Sequence, residues 1–246
     1  MKKWTFFLAL GTSLLLSGCF NIFEEIKFNA DGSGTYSVKM DMSSLLSDEF
    51  MKGMFEEAMK ENEQAKGLSE DMEMDSVIYL KNLPAERKAQ FGRPDLWDSA
   101  EMQIKMSETS KEFFTDIRFK FKNTEDIAFF FEHFDELMAE GESEALAMNP
   151  NQFLSGGGLF KFEKKTLTRL PTPPTEKTKE EEESMEMMRM FFSDSYFTTT
   201  YYLPGEVQKA TMAGAEISKN KVVVKTSMMM DVMDGKGKAD GQIRFK

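Results

Sequence analysis

The chain has one cysteine and one histidine in 246 residues, and its 31 Lys and Arg side chains fall well short of its 42 Asp and Glu. A single thiol excludes an intrachain disulfide framework and any zinc site built from several thiolates. A single histidine removes every paired-His metal motif and leaves one candidate for a histidine base. At a net charge of −11 the chain lacks the basic face needed to neutralise phosphates, so no nucleic-acid partner is expected. No apolar run reaches the roughly 20 residues that span a bilayer as a helix. What the chain has in quantity is apolar bulk: 23 Phe and 21 Met, within a hydrophobic share of 41%, too much for a disordered chain. The length allows one or two domains with an ordinary buried core.

The first residues give the lone cysteine a context. Lys2-Lys3 form a basic start, Trp4 to Leu16 a short apolar stretch, and Ser17-Gly18 a pair of small residues before Cys19. That order is the pattern of a secretory leader. Leu16-Ser17-Gly18-Cys19 resembles the bacterial lipobox, Leu-[Ala/Ser]-[Gly/Ala]-Cys. The resemblance implies that residues 1–18 are a signal peptide recognised through Leu16, Ser17 and Gly18, that the Cys19 thiol carries diacylglycerol, and that its new amino group is acylated. Two or three chains anchor where one cannot, because each buried methylene contributes roughly 0.8 kcal/mol. Losing Lys2 and Lys3 with the leader takes the charge from −11 to −13. Anionic headgroups repel such a body, so lipid rather than a polybasic patch must hold it at the membrane. The mature chain then has no thiol for redox or metal chemistry.

Past Cys19 no Ser/Gly tether intervenes. Ile22 to Phe28 reads as a strand, Asn29 to Gly34 as a turn, and Tyr36, Val38, Met40 and Met42 alternate with polar residues. A hairpin so near the anchor places the body close to the membrane surface. Ser47 is an expected N-cap for a helix with Phe50, Met51, Met54, Phe55, Ala58 and Met59 on one stripe. Val77 to Leu80 reads as a short strand, residues 84–94 as a connection, and Leu96-Trp97 as core. Met102, Ile104 and Met106, answered by Phe113, Ile117, Phe119 and Phe121, predict a second hairpin. Thr124 is the expected cap of a helix carrying Ile127, Phe130, Phe131, Phe134, Leu137 and Met138. Leu159 to Phe162 and Thr166 to Leu170 predict a third hairpin.

The stretch Pro171-Thr172-Pro173-Pro174 holds three of the seven prolines and must be extended. It divides the expected α+β body, 19–170, from a helix and strand-rich part of the same domain, 178–246, across a linker at 171–177. Strands are expected over Tyr196 to Leu203, Val207 to Met212, Val222 to Met233 and Gln242 to Phe245. Consecutive hairpins predict an α+β fold, a mainly antiparallel sheet with about three helices packed on one face.

Several clusters invite a chemical reading. Glu132, His133 and Glu136 share a helical segment, but the ordinary alternative is a surface histidine opposite Phe130 and Phe134. Asp31-Gly32-Ser33-Gly34 and Asp231 to Gly235 lack the alternating acids and closing Glu of a calcium loop, and tight turns explain them better. Gly156-Gly157-Gly158 has no phosphate-loop spacing. The methionines at 185–190 and 228–230 fall where Leu or Ile would serve, which favours core or adaptable contact over copper. Glu180 to Glu183 suit the start of a helix. No nucleophile elbow is present. No metal, cofactor or catalytic residue is therefore expected.

The segment Tyr201-Tyr202-Leu203-Pro204-Gly205-Glu206-Val207, with Val222-Val223-Val224-Lys225 after it and the Asp31 to Gly34 hairpin near the start, resembles the LppM-type lipoprotein domain. A tryptophan common after the Pro-Gly turn of that family has no counterpart here. The resemblance implies an envelope lipoprotein with a sheet-based binding domain for lipid or glycolipid, and it transfers no catalytic residues. The expected role is non-enzymatic binding or scaffolding in the bacterial cell envelope, at the outer membrane if the cell is Gram-negative. Phe20 stands where some inner-membrane lipoproteins carry a retention Asp. The expected partners are the membrane, through acyl chains on Cys19, and an envelope protein or lipid. The alternatives are a binder of lipid or another hydrophobic ligand and, third, a hydrolase using carboxylates.

Overall fold

The computed structural model describes residues 20–61, 73–138, 159–171, 189 and 192–246 except 235 and 238. The strands are β1 (Asn21–Phe28), β2 (Gly34–Asp41), β3 (Glu73–Tyr79), β4 (Glu101–Ser107), β5 (Glu112–Phe121), β6 (Phe160–Glu163), β7 (Thr166–Arg169), β8 (Tyr196–Tyr202), β9 (Val207–Ala210), β10 (Ala215–Lys219), β11 (Val222–Met228) and β12 (Gly241–Phe245). The helices are α1 (Glu49–Glu61), α2 (Ala85–Phe91), α3 (Pro94–Asp98), α4 (Glu125–Met138) and α5 (Met229–Met233). The fold is α+β, as expected. Eight strands form one sheet in the order β10-β11-β8-β1-β2-β5-β4-β3, and four form a second in the order β6-β7-β12-β9. Every pairing is antiparallel except β1 with β8, where Asn21 lies opposite Tyr196 and Lys27 opposite Tyr202.

Period-two alternation decides which face of the large sheet is buried. Ile22, Ile26 and Phe28 of β1, Tyr36, Val38 and Met40 of β2, Met102, Ile104 and Met106 of β4, and Phe113, Ile117, Phe119 and Phe121 of β5 are all buried. Their neighbours in sequence, such as Phe23, Lys27, Arg118 and Lys120, lie on the opposite, open face. Helix α4 covers the buried face with Ile127, Phe130, Phe131 and Phe134, spaced three and four apart so that they share one stripe. The Phe130 ring stacks on Phe119 at 4.0 Å, and Phe131 meets Tyr36 edge-on at 5.3 Å. Trp97 is fully buried beside Phe130 and donates its indole N–H to the Gly92 carbonyl at 2.8 Å.

The second sheet is the feature that hairpin counting did not anticipate. The third hairpin forms as β6 and β7, but it pairs with β12 from the chain's end, and β12 with β9. This sheet contributes Leu167, Arg169, Ile243 and Phe245 to the buried interior. The same face of the large sheet is thus covered by helices toward one edge and by a small sheet toward the other.

Local corrections are modest and have local causes. The cap of α1 is Asp48 rather than Ser47, since the Asp48 carboxylate accepts the Phe50 N–H at 3.0 Å. The cap of α4 is Asn123 rather than Thr124: its side-chain oxygen accepts the Asp126 N–H, while Asp126 accepts the Asn123 N–H in return. That is a capping box shifted by one residue. The connection at 84–94 contains α2. The strand expected over Val222 to Met233 stops at Met228, and Met229–Met233 turn as α5. Strand β10 was not expected at all. The loop and linker at 139–158 and 172–177, and the acidic run Glu180 to Glu183, lie outside the described residues.

Candidate functional site

Three places carry the functional question: the end of the sheet next to Cys19, the opposite end, and a polar cluster between the sheets. Cys19 and Leu16, Ser17 and Gly18 of the expected lipobox lie outside the described residues. The next residue is fixed. Phe20 is 3% exposed, donates its backbone N–H to the Ser195 hydroxyl at 3.1 Å, and meets Phe192 edge-on at 4.8 Å. Strand β1 begins one residue later and is an inner strand, paired with β2 on one side and β8 on the other.

At the far end of β1, roughly 25 Å away for eight extended residues, lies a groove of about 680 Å³. The β1–β2 turn supplies Asn29 and Ser33, the end of β5 supplies Lys120 and Lys122, and the starts of α3 and α4 supply Arg93 and Asp126. The turn is a tight hairpin, as its residues suggested: the Asp31 carboxylate accepts the Ser33 N–H at 3.0 Å and the Ser33 hydroxyl at 2.7 Å. These two bonds hold the Asp31 carboxyl below its ordinary pKa. Arg93 sits in the left-handed region at φ 50°, which aims its side chain into the groove's rim. Its guanidinium is held by Asp126 at 2.7 Å and lies 4.3 Å over the Phe129 ring. Lys122 pairs with Asp95 at 2.5 Å on the open surface. With Lys120 added to these two pairs, the groove's lining carries one net positive charge, its charged tips over apolar stems.

The polar cluster joins the two sheets. Glu24 occupies an inward slot of β1 between Ile22 and Ile26 and has no exposed surface. One carboxylate oxygen accepts the Tyr36 hydroxyl at 2.6 Å, and the other accepts Arg169 at 2.7 Å and the Thr199 hydroxyl at 2.7 Å. Arg169 reaches in from β7 and also donates to the Tyr201 hydroxyl at 2.9 Å. Register explains the assembly: Glu24 lies opposite Thr199, and Thr199 opposite Lys225, on three adjacent strands. Burial works against the Arg169 charge, but Glu24, Tyr201 and Tyr36 together overcome it and raise the guanidinium's pKa. Burial pushes the Tyr36 phenol well above its ordinary value, with Glu24 adding to the effect. Burial also raises Tyr201, against the opposing pull of Arg169. Burial lowers Lys225, and the Arg169 charge lowers it further. Lys225 donates to the Ala213 carbonyl at 2.7 Å. Glu24, Tyr36, Arg169, Thr199 and Tyr201 each serve another of the five, which is the mark of a structural joint.

The cluster predicts an alkaline weakness. Both tyrosines have folded pKa values above the unfolded value of about 10, so their contribution is complete below about pH 10 and is lost as pH climbs toward the folded values. Urea midpoints should fall above about pH 10 by up to about 1.4 kcal/mol per pH unit for each tyrosine that ionises on unfolding. Tyr36→Phe should make that fall shallower. An unchanged slope in Tyr36→Phe would show that this phenol is not the group responsible.

Sequence reasoning missed this cluster, although one signal for it existed. Glu24, Thr199, Lys225 and Arg169 each interrupt an inward-facing apolar alternation. Glu24 and Glu25 stand side by side in β1, yet only Glu24 is inside the molecule. His133 is half-buried, its Nδ1 lies 3.0 Å from the Phe129 carbonyl, and its ring stacks on Phe129 at 4.2 Å. Glu132 and Glu136 remain exposed, and among the described residues no three His, Cys, Asp or Glu side chains gather as a metal site. Asp234 pairs with Arg189 at 2.8 Å and Lys236 at 2.9 Å at the end of α5. Among the described residues no helix is long and apolar enough to cross a membrane. No protein-family model matches the chain, and no curated protein matches it.

Proposed function

We propose that this chain is a non-enzymatic lipoprotein of the bacterial cell envelope, held to the membrane by acyl chains on Cys19, whose sheet-based body binds an envelope partner at its far end. The observation that carries the reading is the fixing of Phe20 inside the fold directly after Cys19. A body built onto its anchor without a tether keeps one end at the bilayer and turns the other toward the periplasm or the exterior. The groove between Arg93 and Lys122 is at that outer end. Its charged rim favours a polar partner, a protein surface or glycan, over an acyl chain.

The test has two arms. Cys19→Ala should move the protein from the membrane to the soluble fraction, and retention of the variant there would overturn the anchor. A photo-crosslinking residue at Lys122 should then give one discrete adduct in intact cells, absent when the same residue replaces Lys161 on β6. Equal labelling from both positions, or none from either, would remove the groove as the contact. A lipid that co-purifies with the body and occupies the groove would favour the hydrophobic-ligand alternative.

A further inference from the structure

From the placement of its exposed apolar side chains, we infer that the anchor end of the sheet is itself a membrane-contact surface, with Phe50 and Met54 of α1 and Met228 of β11 resting in the headgroup region of the bilayer that holds the acyl chains. The inference rests on the proposed anchor at Cys19 and deepens it.

Register defines this end. Asn21, at the start of β1, lies opposite Asp41 of β2, and Asp41 lies opposite Phe114 of β5. On the other side Asn21 lies opposite Tyr196 of β8, and Tyr196 opposite Met228. Helix α1 follows β2 at the same end: Phe55 packs on Phe113 at 5.3 Å, and Lys52 pairs with Glu108 in the β4–β5 turn. Cys19 is one residue from Phe20, about 3.8 Å between Cα atoms. Strands two places from β1 lie only about 10 Å to either side of it. A lipid on Cys19 therefore brings this end against the bilayer.

The side chains presented there are apolar where a water-facing end needs none. Phe50 is 74% exposed, the largest exposure among the exposed large hydrophobics, and Met54, one helical turn on, is 37% exposed. Met228 is 42% exposed on the far side of β1, so the apolar groups flank the attachment point from both directions. Aromatic and methionine side chains suit the boundary between headgroups and acyl chains.

Charge argues for contact without electrostatic attraction. The cations at this end are matched by acids: Lys39 with Asp41 at 3.1 Å, Lys105 with Glu112 at 2.5 Å, Lys52 with Glu108 and Glu56, and Arg189 with Asp234. Among the described side chains no unmatched basic stripe is left here to seek anionic lipid. The contact should therefore form on a zwitterionic bilayer and persist at high salt.

The experiment places a tryptophan reporter in the full-length protein, purified from membranes and reconstituted into phosphatidylcholine vesicles with and without lipids brominated high on the acyl chain. Two reporters are compared: Phe50→Trp at the anchor end, and Tyr79→Trp, which is 42% exposed at the end of β3 away from the anchor, level with Glu25 of β1. Trp97 is fully buried and supplies a constant background. The expected result is a blue shift and loss of emission for the reporter at 50, none for the reporter at 79, and no change in either when salt is raised. Mass spectrometry of the N-terminal peptide reports acylation separately. Acylated protein whose reporter at 50 stays unquenched overturns the contact and leaves the anchor intact. Protein without acyl groups at Cys19 overturns the anchor, and the contact falls with it.

Discussion

Arg169→Met lowers stability by about 3–5 kcal/mol in denaturant unfolding, the loss expected when one partner of a buried pair is removed. For a domain of this size that is on the order of 10 °C in melting temperature. The loss comes less from the attraction forgone than from the charge left behind. Glu24 has no exposed surface, and without Arg169 its carboxylate keeps only the Tyr36 and Thr199 hydroxyls. The double variant Glu24→Leu, Arg169→Met recovers part of the loss, because well-packed apolar residues of similar volume often replace a buried pair at little cost. Recovery is incomplete, since each hydroxyl then left unpaired costs about 1–3 kcal/mol. Adding Tyr36→Phe and Thr199→Val removes two of those penalties and brings the protein back toward the parent. If Arg169→Met shifts the midpoint by less than about 1 kcal/mol, water reaches the pair and the joint between the sheets is not sealed as its geometry implies.

The joint matters because it is where the two sheets are specified against each other. Apolar contacts between sheets tolerate sliding, whereas a carboxylate that needs three particular donors does not. This also marks the limit of what could be read from the chain alone. Alternation in β1, β2, β4 and β5 shows which residues point inward, and the hairpins followed from it, as did the stripe of α4. Alternation does not say which strand lies beside which when they are distant in sequence. β1 and β8 are parallel neighbours about which no local turn gives information, and Arg169 meets Glu24 across 145 positions. The small sheet was illegible for the same reason, since β12 read as a strand but not as the one that lies between β7 and β9. The one-residue errors at Ser47 and Thr124 have a different origin. Adjacent Ser-Asp and Asn-Thr pairs offer two capping side chains, and only the backbone path selects between them. Of the functional reading, the anchor motif was wholly a matter of sequence. The groove rim, with Arg93 in a left-handed conformation over Phe129, needed the fold.

Gly34→Ala is expected to be nearly as damaging, although a single methyl is added. The residue belongs to the Asp31 to Gly34 turn, and only the structure separates its two glycines. Gly32 takes a left-handed φ of 88° and serves the turn's curvature. Gly34 has no such angle; its demand is for space. A Cβ there would stand 1.9 Å from the Lys27 carbonyl oxygen and 2.6 Å from Cζ of Phe121. The first contact is with backbone, which cannot rotate away as a side-chain tip can. Either β1 and β2 part at their first ladder bonds or the Phe121 ring leaves its place against Phe28, 5.5 Å away. Overpacking usually costs about 1–3 kcal/mol, and a collision with main chain belongs at or above the top of that range. The matched control is Gly53→Ala on α1, where the added methyl meets nothing within 4 Å. There the helix should gain about 0.5–1 kcal/mol from the loss of glycine's conformational freedom. Opposite signs for the same substitution, read as urea midpoints, would confirm that space in the hairpin rather than glycine content sets the penalty. Equal small effects would mean that the β1–β2–β5 contact relaxes more freely than its packing indicates. Because Gly34 also lines the groove, Gly34→Ala should weaken the proposed crosslink from Lys122 while leaving the proposed membrane association through Cys19 unchanged, which separates the two ends of the molecule in one variant.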